Sequence, residues 1–168
     1  MTVLGTERLI LREFTVEDAE FILALLNEPS FLRYIGDKKV RELEDARQYI
    51  LNGPVASYER NAFGLYLVEL RESHTPMGMC GLIQREELPD PDIGFAFLPE
   101  FWNKGFAFEA ATAVLQDARE RRRLERILAI TSLDNEASIG LLQRLGFTFE
   151  REIRLAADRE PVKLFNLP

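Results

Sequence analysis

Trp102-Asn103-Lys104-Gly105-Phe106-Ala107 sets a glycine, two polar side chains and a small residue where an apolar run gives way to a helical pattern. A junction of that type can bind an anion. A helix start exposes backbone N–H groups with no partner in the helix and carries the positive end of the peptide dipole. Gly105 lets the backbone come close to a ligand, Asn103 and Lys104 add polar reach, and Ala107 keeps the first turn free of bulk. The same residues also make an ordinary strand-turn-helix connection, and Trp102 could either touch a ligand or pack beneath the loop.

A second polar pair follows a later strand-like run. Asn135 stands at the start of a helical segment with Ser138 one turn on, so both can point to one side at the edge of a sheet. N-capping explains the same residue types. A third group is the acidic stretch REELPDPD, Arg85 to Asp92, which offers carboxylates for proton transfer. Asp92 leads it because it opens a strand, with Glu86 and Glu87 behind; the alternative is a solvated acidic loop. His74, the one histidine, lies in the polar turn ESHTP and reads as a solvent-exposed turn residue.

These groups must be held by elements that the periodicity outlines. Arg8 to Glu13 alternates as a half-buried strand. Thr15 with Asp18 forms a capping signal for a helix carrying Phe21, Ile22, Leu25 and Leu26, which is expected to stop near Asn27 before Pro29. A second helix runs from about Arg41 to Leu51, and Asn52-Gly53-Pro54 should break it. Ala62 to Leu70 and Met77 to Arg85 read as an antiparallel hairpin, and Asp92 to Leu98 as a third strand. The helix after the loop carries a stripe of small residues, Ala107, Ala110, Ala111, Val114 and Ala118, suited to close packing on a sheet, and ends in Arg119 to Arg123, read as a solvated helix end. A strand at Arg126 to Thr131, a helix at Ala137 to Leu145 stopped by Gly146, and two closing strands complete a mixed α/β domain around one sheet.

At 168 residues the chain is expected to form a single domain. With 46% hydrophobic and 29% charged residues its composition is globular, and a formal charge of -7 argues against nucleic acid as a partner. A lone Cys80 excludes an internal disulfide and a cysteine-rich metal site and fits a reducing compartment. Early charges at Glu7, Arg8, Arg12 and Glu13 leave no signal-peptide run and no later segment reaches membrane-span length, so the expectation is a cytoplasmic protein with no membrane partner.

Together the two polar segments resemble the GNAT superfamily of acyl-CoA-dependent N-acyltransferases. The loop is similar to the family's Gln/Arg-x-x-Gly-x-Gly/Ala pattern at Gly105 and Ala107, with Trp102 where many members carry Gln or Arg. Trp102, Glu109-Ala110, Asn135-x-x-Ser138, Leu145-Gly146-Phe147 and the opening ERLILRE (Glu7 to Glu13) resemble the branch of ribosomal-protein N-terminal alanine acetyltransferases. The resemblance spans about Thr6 to Leu167. It implies a mostly antiparallel sheet, flanked by helices and splayed at the cofactor site, with acetyl-CoA as co-substrate and no metal. Trp102, Asn103, Lys104, Gly105, Phe106 and Ala107 would hold the pyrophosphate. Backbone groups of Phe97 and Leu98 would bond the pantetheine arm, and Asn135 would hold it from the other side. The acceptor would be an amine, as a small molecule or a protein N-terminus, and the assembly a monomer or homodimer.

Acetyl transfer needs a neutral amine, donors for the oxyanion and a proton for the departing thiolate. A peptide α-amine, with a pKa of about 8 against about 10.4 for lysine, asks less of a base. Asp92 is the candidate base. Many superfamily members use a late tyrosine as the acid; here no tyrosine follows Tyr66, and Ser138 is the matching alternative, as a hydrogen-bond donor or water positioner. Phe14, Phe31, Tyr34 and Tyr49 could line the acceptor pocket or belong to the core. Two other readings stay open: a CoA-binding module that has lost catalysis and acts through a partner, and an unrelated nucleotide-binding α/β domain.

Overall fold

The fold follows from one sheet with a helical layer on each face, seen in a computed structural model that describes residues 2–168. Eight strands lie in the order β1-β2-β3-β4-β5-β6-β8-β7. They are β1 (Thr2–Gly5), β2 (Leu9–Arg12), β3 (Leu65–Leu70), β4 (Pro76–Ile83), β5 (Asp92–Phe97), β6 (Ile127–Ser132), β7 (Thr148–Ile153) and β8 (Val162–Leu167). All neighbours pair antiparallel except β5 and β6, which run parallel.

Alternation along β5 divides the molecule. Ile93 and Phe97 join the core beneath α5 (Phe106–Glu120) and α6 (Glu136–Arg144), whereas Ala96 and Leu98 pack against the core beneath α1 (Ala19–Leu26), α2 (Pro29–Tyr34) and α3 (Leu43–Ile50). In α5 the small-residue stripe works as expected: Ala110, Ala111 and Ala118 are fully buried, so the helix lies close on the sheet.

Local chemistry sets most boundaries. Thr15 and Asp18 form the reciprocal capping box, here around a 3-10 turn (Val16–Asp18) that feeds α1, and Asn27 closes it. Pro29, expected only as a stop, also begins α2, because proline fits a first-turn position that needs no N–H donor. The expected break at Asn52-Gly53-Pro54 does not occur. The chain widens into a π turn (Leu51–Val55) and continues as α4 (Ala56–Asn61), since a wider turn absorbs the missing donor of Pro54.

The arginine-rich end of α5 also departs from expectation. Arg119 donates to the carbonyls of Leu124, Glu125, Leu167 and Pro168, while Arg121 and Arg122 both pair with the buried Asp117 at 2.9 Å. The segment ties the helix to two loops and the last strand, which a solvated helix end would not do.

Candidate functional site

The parallel pair is where the sheet opens. β5 and β6 meet only at Asp92 and Leu128, with Leu128 N–H donating to the Pro91 carbonyl at 2.9 Å. Beyond that point β5 stays in register with β4 up to Phe97 opposite Gly78, so its other edge has no strand partner. Leu98 N–H donates to Met77 O at 2.9 Å. Antiparallel alternation therefore turns the backbone groups of Phe95 and Phe97 away from β4 and into the gap.

Leu98 does not fit the role expected of it. Its N–H is taken by Met77 and its carbonyl accepts from Phe101 N–H, so neither group is free for a ligand. Phe97 is only half available, because Trp102 Nε1–H donates to its carbonyl at 2.9 Å. The indole is nonetheless 45% exposed, so Trp102 both faces the opening and braces the strand behind it.

Between this strand and α5 the loop takes the shape an anion site needs. Asn103 and Gly105 adopt left-handed backbone angles, φ 62 and 82, which turn the chain sharply into the helix. Among the described residues, none of the backbone N–H groups from Asn103 to Phe108 donates to another part of the protein. Lys104 differs from its neighbours: its Nζ folds back to the Glu100 carbonyl at 3.1 Å, and it does not line the opening.

The loop is held from below by residues far away in sequence. Glu109 accepts from the Thr6 hydroxyl, from Arg8 N–H at 3.0 Å and from Arg8 Nε–H at 2.7 Å, and Arg8 Nη1 donates to the Lys104 carbonyl at 3.1 Å. Partial burial pushes the Glu109 carboxyl up, but the bonds from Thr6 and Arg8 together outweigh it and leave it below the usual range. The Arg8 guanidinium also lies 4.3 Å from the Phe106 ring centre. Two segments singled out in the sequence, ERLILRE and Glu109-Ala110, thus meet as one clamp.

A cleft of about 640 Å³ runs through the opening. Phe95, Phe97, Trp102, Asn103, Gly105, Phe106 and Ala107 line one side, and Asn135 and Ser138 another. Asn135 Oδ1 accepts from Ser138 N–H at 3.2 Å, so it does cap α6; its Nδ2 and the Ser138 hydroxyl have no partner among the described residues. The third wall is α2 with the residue before it, and brings Glu28, Phe31 and Tyr34 to the cleft. Arg33 on α2 reaches Asp134 beside Asn135 at 3.3 Å, linking two walls.

Asp92 stands apart. It is buried, paired with Arg85 at 3.0 Å, and absent from the cleft lining. Burial pushes its carboxyl up to about 6 although Arg85 pulls the other way, and Oδ2 has no partner among the described residues. Alternation puts it on the Ala96 face of β5, four residues from Ala96 and so roughly 13 Å along the strand. Of the four aromatics that sequence alone could not separate, Phe31 and Tyr34 line the cleft, whereas Phe14 is core and Tyr49 lies elsewhere. Tyr49 is pushed up to about 12 by burial. His74 is exposed in its turn, yet its Nδ1 meets the buried Glu69 at 2.9 Å. Cys80 is fully buried and its thiol is pushed up by that burial. No described helix is long and apolar enough to cross a membrane.

Sequence reasoning missed Arg8 and Glu28. Arg8 lies in the ERLILRE segment that the sequence singled out, but its contact with the loop, like the place of Glu28 on the cleft, arises from tertiary packing.

Known proteins share this fold. A family model described as acetyltransferase (GNAT) domain matches residues 8–148. The uncharacterized N-acetyltransferase YoaA of Bacillus subtilis is 32% identical over 154 residues, covering 90% of this chain and 86% of its own. An acetyltransferase structure from Agrobacterium tumefaciens superposes with a TM-score of 0.83 at 22% identity, over 100% of this chain and 95% of that one. A RimL ribosomal alpha-N-protein acetyltransferase in complex with coenzyme A gives 0.84 at 18%, over 99% and 97%. Both structural matches speak for the fold, and the sequence matches carry the family. This chain belongs to the GNAT acetyltransferases.

Proposed function

We propose that this acetyltransferase uses acetyl-CoA and passes the acetyl group directly to a primary amine, with both substrates bound together. The observation that carries the reading is the run of unpartnered backbone N–H groups from Asn103 to Phe108 at the mouth of the cleft. That run suits a pyrophosphate. The gap beyond it suits a slender amide-bearing arm, with Phe95 and Phe97 backbone groups on one side and Asn135 Nδ2 on the other.

Bound acetyl-CoA supplies an activated acyl group and a thiolate leaving group. The chain's own groups do the rest. Phe97 N–H is the backbone donor we assign to the developing oxyanion. The hydroxyls lining the cleft are those of Ser30, Tyr34 and Ser138, and Ser138 and Tyr34 are the candidates to return a proton to sulfur. Tyr34 offers a phenol where the sequence has no late tyrosine. Glu28, half-buried and without an ion-pair partner among the described residues, is a cleft carboxylate able to attract a cationic amine. Asp92 is too distant from the lining to serve as a base without a relay of water.

Acceptors in view are a peptide or protein N-terminus and a small amine; the likeness to the ribosomal-protein branch favours the former. Calorimetric titration with acetyl-CoA tests the reading, beside Gly105→Val and an ATP control, followed by thiol release over an amine and peptide panel. Saturable acetyl-CoA binding with ATP silent and release with some amine supports transfer. Binding with no release over a broad panel would favour a silent CoA-binding module, and no binding would overturn the reading.

A further inference from the structure

We infer that Arg8 is a phosphate-binding residue of the cofactor site, beyond the loop and helix that the family pattern assigns. The inference rests on the acetyl-CoA reading above.

Arg8 has five N–H donors in a planar fork. Nε is taken by Glu109 and Nη1 by the Lys104 carbonyl, but Nη2 has no acceptor among the described residues. That free end lies at the loop. A Cβ built on Gly105 would come within 3.4 Å of Nη2, so the guanidinium stands directly beside the glycine whose left-handed turn opens the anion site. The Arg8 side chain is 43% exposed, so a ligand can approach it from solvent.

The clamp also fixes the geometry. Glu109 and Lys104 O hold two edges of the fork and the Phe106 ring supports its face, so the third edge is aimed without a further loss of side-chain freedom. Lys104, which the sequence reading placed in the pyrophosphate loop, has its ammonium folded onto Glu100 O. Arg8, like Lys104, lies outside the cleft lining, but it keeps a free edge beside the loop, where it would meet a phosphate at the mouth. A phosphate there would accept charge-assisted bonds from Nη2 as well as from the loop N–H groups. The shared chemistry is a phosphate of CoA, either in the pyrophosphate or at the ribose 3′ position.

A purely structural clamp makes a different prediction from a phosphate contact, and Arg8→Lys separates the two. That variant keeps the positive charge beside the loop but cannot hold Glu109 and the Lys104 carbonyl in the fork geometry, whereas Arg8→Gln removes the charge. Calorimetry with CoA and with dephospho-CoA, at two salt concentrations, reads both. Arg8→Gln is expected to weaken CoA binding by roughly tenfold or more and to flatten its salt dependence, and Arg8→Lys to recover part of the affinity and of the salt dependence. A loss with both ligands marks the pyrophosphate, and a loss with CoA alone marks the 3′ phosphate. Equal weakening in the two variants with the wild-type salt dependence kept, or unchanged binding in Arg8→Gln, would overturn the inference while leaving the cofactor reading intact. Should Arg8→Gln fail to fold, loss of the salt dependence in Arg8→Lys would overturn it. Wild-type protein silent toward CoA would overturn the reading first.

Discussion

Trp102 Nε1–H donates to the carbonyl of Phe97 at 2.9 Å, so the only tryptophan of the chain is bonded to the strand edge that faces the gap. Any ligand arm laid along β5 must pass that indole. Titration with CoA should therefore shift the intrinsic emission, saturating at the Kd found by calorimetry. Emission that stays constant while calorimetry shows binding would put the arm elsewhere.

Gly105 has φ 82, a region where a β-branched residue is strained. Gly105→Val should cost about 1–2 kcal/mol of stability and displace the free N–H groups together. The expected result is a Tm lowered by a few degrees with CoA binding lost. A variant that keeps wild-type affinity would show that the left-handed turn is not needed for the anion site.

Asp92 gives a pH prediction with a definite sign. Its folded pKa of about 6 lies above the ordinary 3.8, because burial disfavours its charge more than Arg85 offsets. Stability from this group is fully present below pH 3.8 and is lost as pH rises through 6. Asp92→Asn should therefore flatten the fall in stability across that window, worth on the order of 2–3 kcal/mol at pH 7.5, while CoA binding is unchanged. Denaturant melts from pH 4 to 8 measure it; parallel curves for the two proteins would refute the burial argument.

The main elements were legible because their signals are local. Alternation marked β2, strand-like runs marked β3 to β6, the small-residue stripe marked α5, and Gly105 marked the turn. The π turn after α3 was not legible, since Gly53-Pro54 looks the same whether a helix stops or widens. Thr2–Gly5 was missed as a strand because it is short and only partly buried. In the site, the loop and Asn135-Ser138 could be read as motifs, but Arg8 meets Glu109 across 101 residues. Phe14 and Phe31 have the same side chain and both are buried, and only packing decides that Phe31 also forms part of the cleft wall. Leu98 failed for a related reason: which backbone groups are spent depends on sheet register, which the sequence does not print.

Asp117 should be a stability residue and nothing more. Its carboxylate is buried on α5 and holds Arg121 and Arg122, and Arg122 continues to the Ala62 carbonyl at 2.7 Å. Asp117→Ala leaves a mostly buried Arg122 without its partner, a change that costs about 3 kcal/mol. Thermal melts should fall by roughly 5–10 °C with CoA affinity kept at temperatures where the variant is folded. An unchanged melt would mean that water replaces the carboxylate without loss.

The proton that leaves with sulfur can come from two places in the cleft, and they predict different variants. Ser138 carries a free hydroxyl at the N-terminus of α6, where the helix dipole disfavours a proton on oxygen and so makes it a better donor. Tyr34 carries a phenol on the opposite wall, and a phenol gives up its proton more readily than an alkyl hydroxyl. Proton transfer is therefore easier from Tyr34, if α2 brings it to the sulfur when the amine binds. With an amine from the panel that turns over, Tyr34→Phe should lower kcat by about tenfold or more and change its pH profile, and Ser138→Ala should lower it by less with the profile kept. Acetyl-CoA affinity should stay near wild type in both, because neither hydroxyl is needed for the phosphate contacts. The reverse order of effects would move the acid to α6, and full activity in both would leave the proton to water.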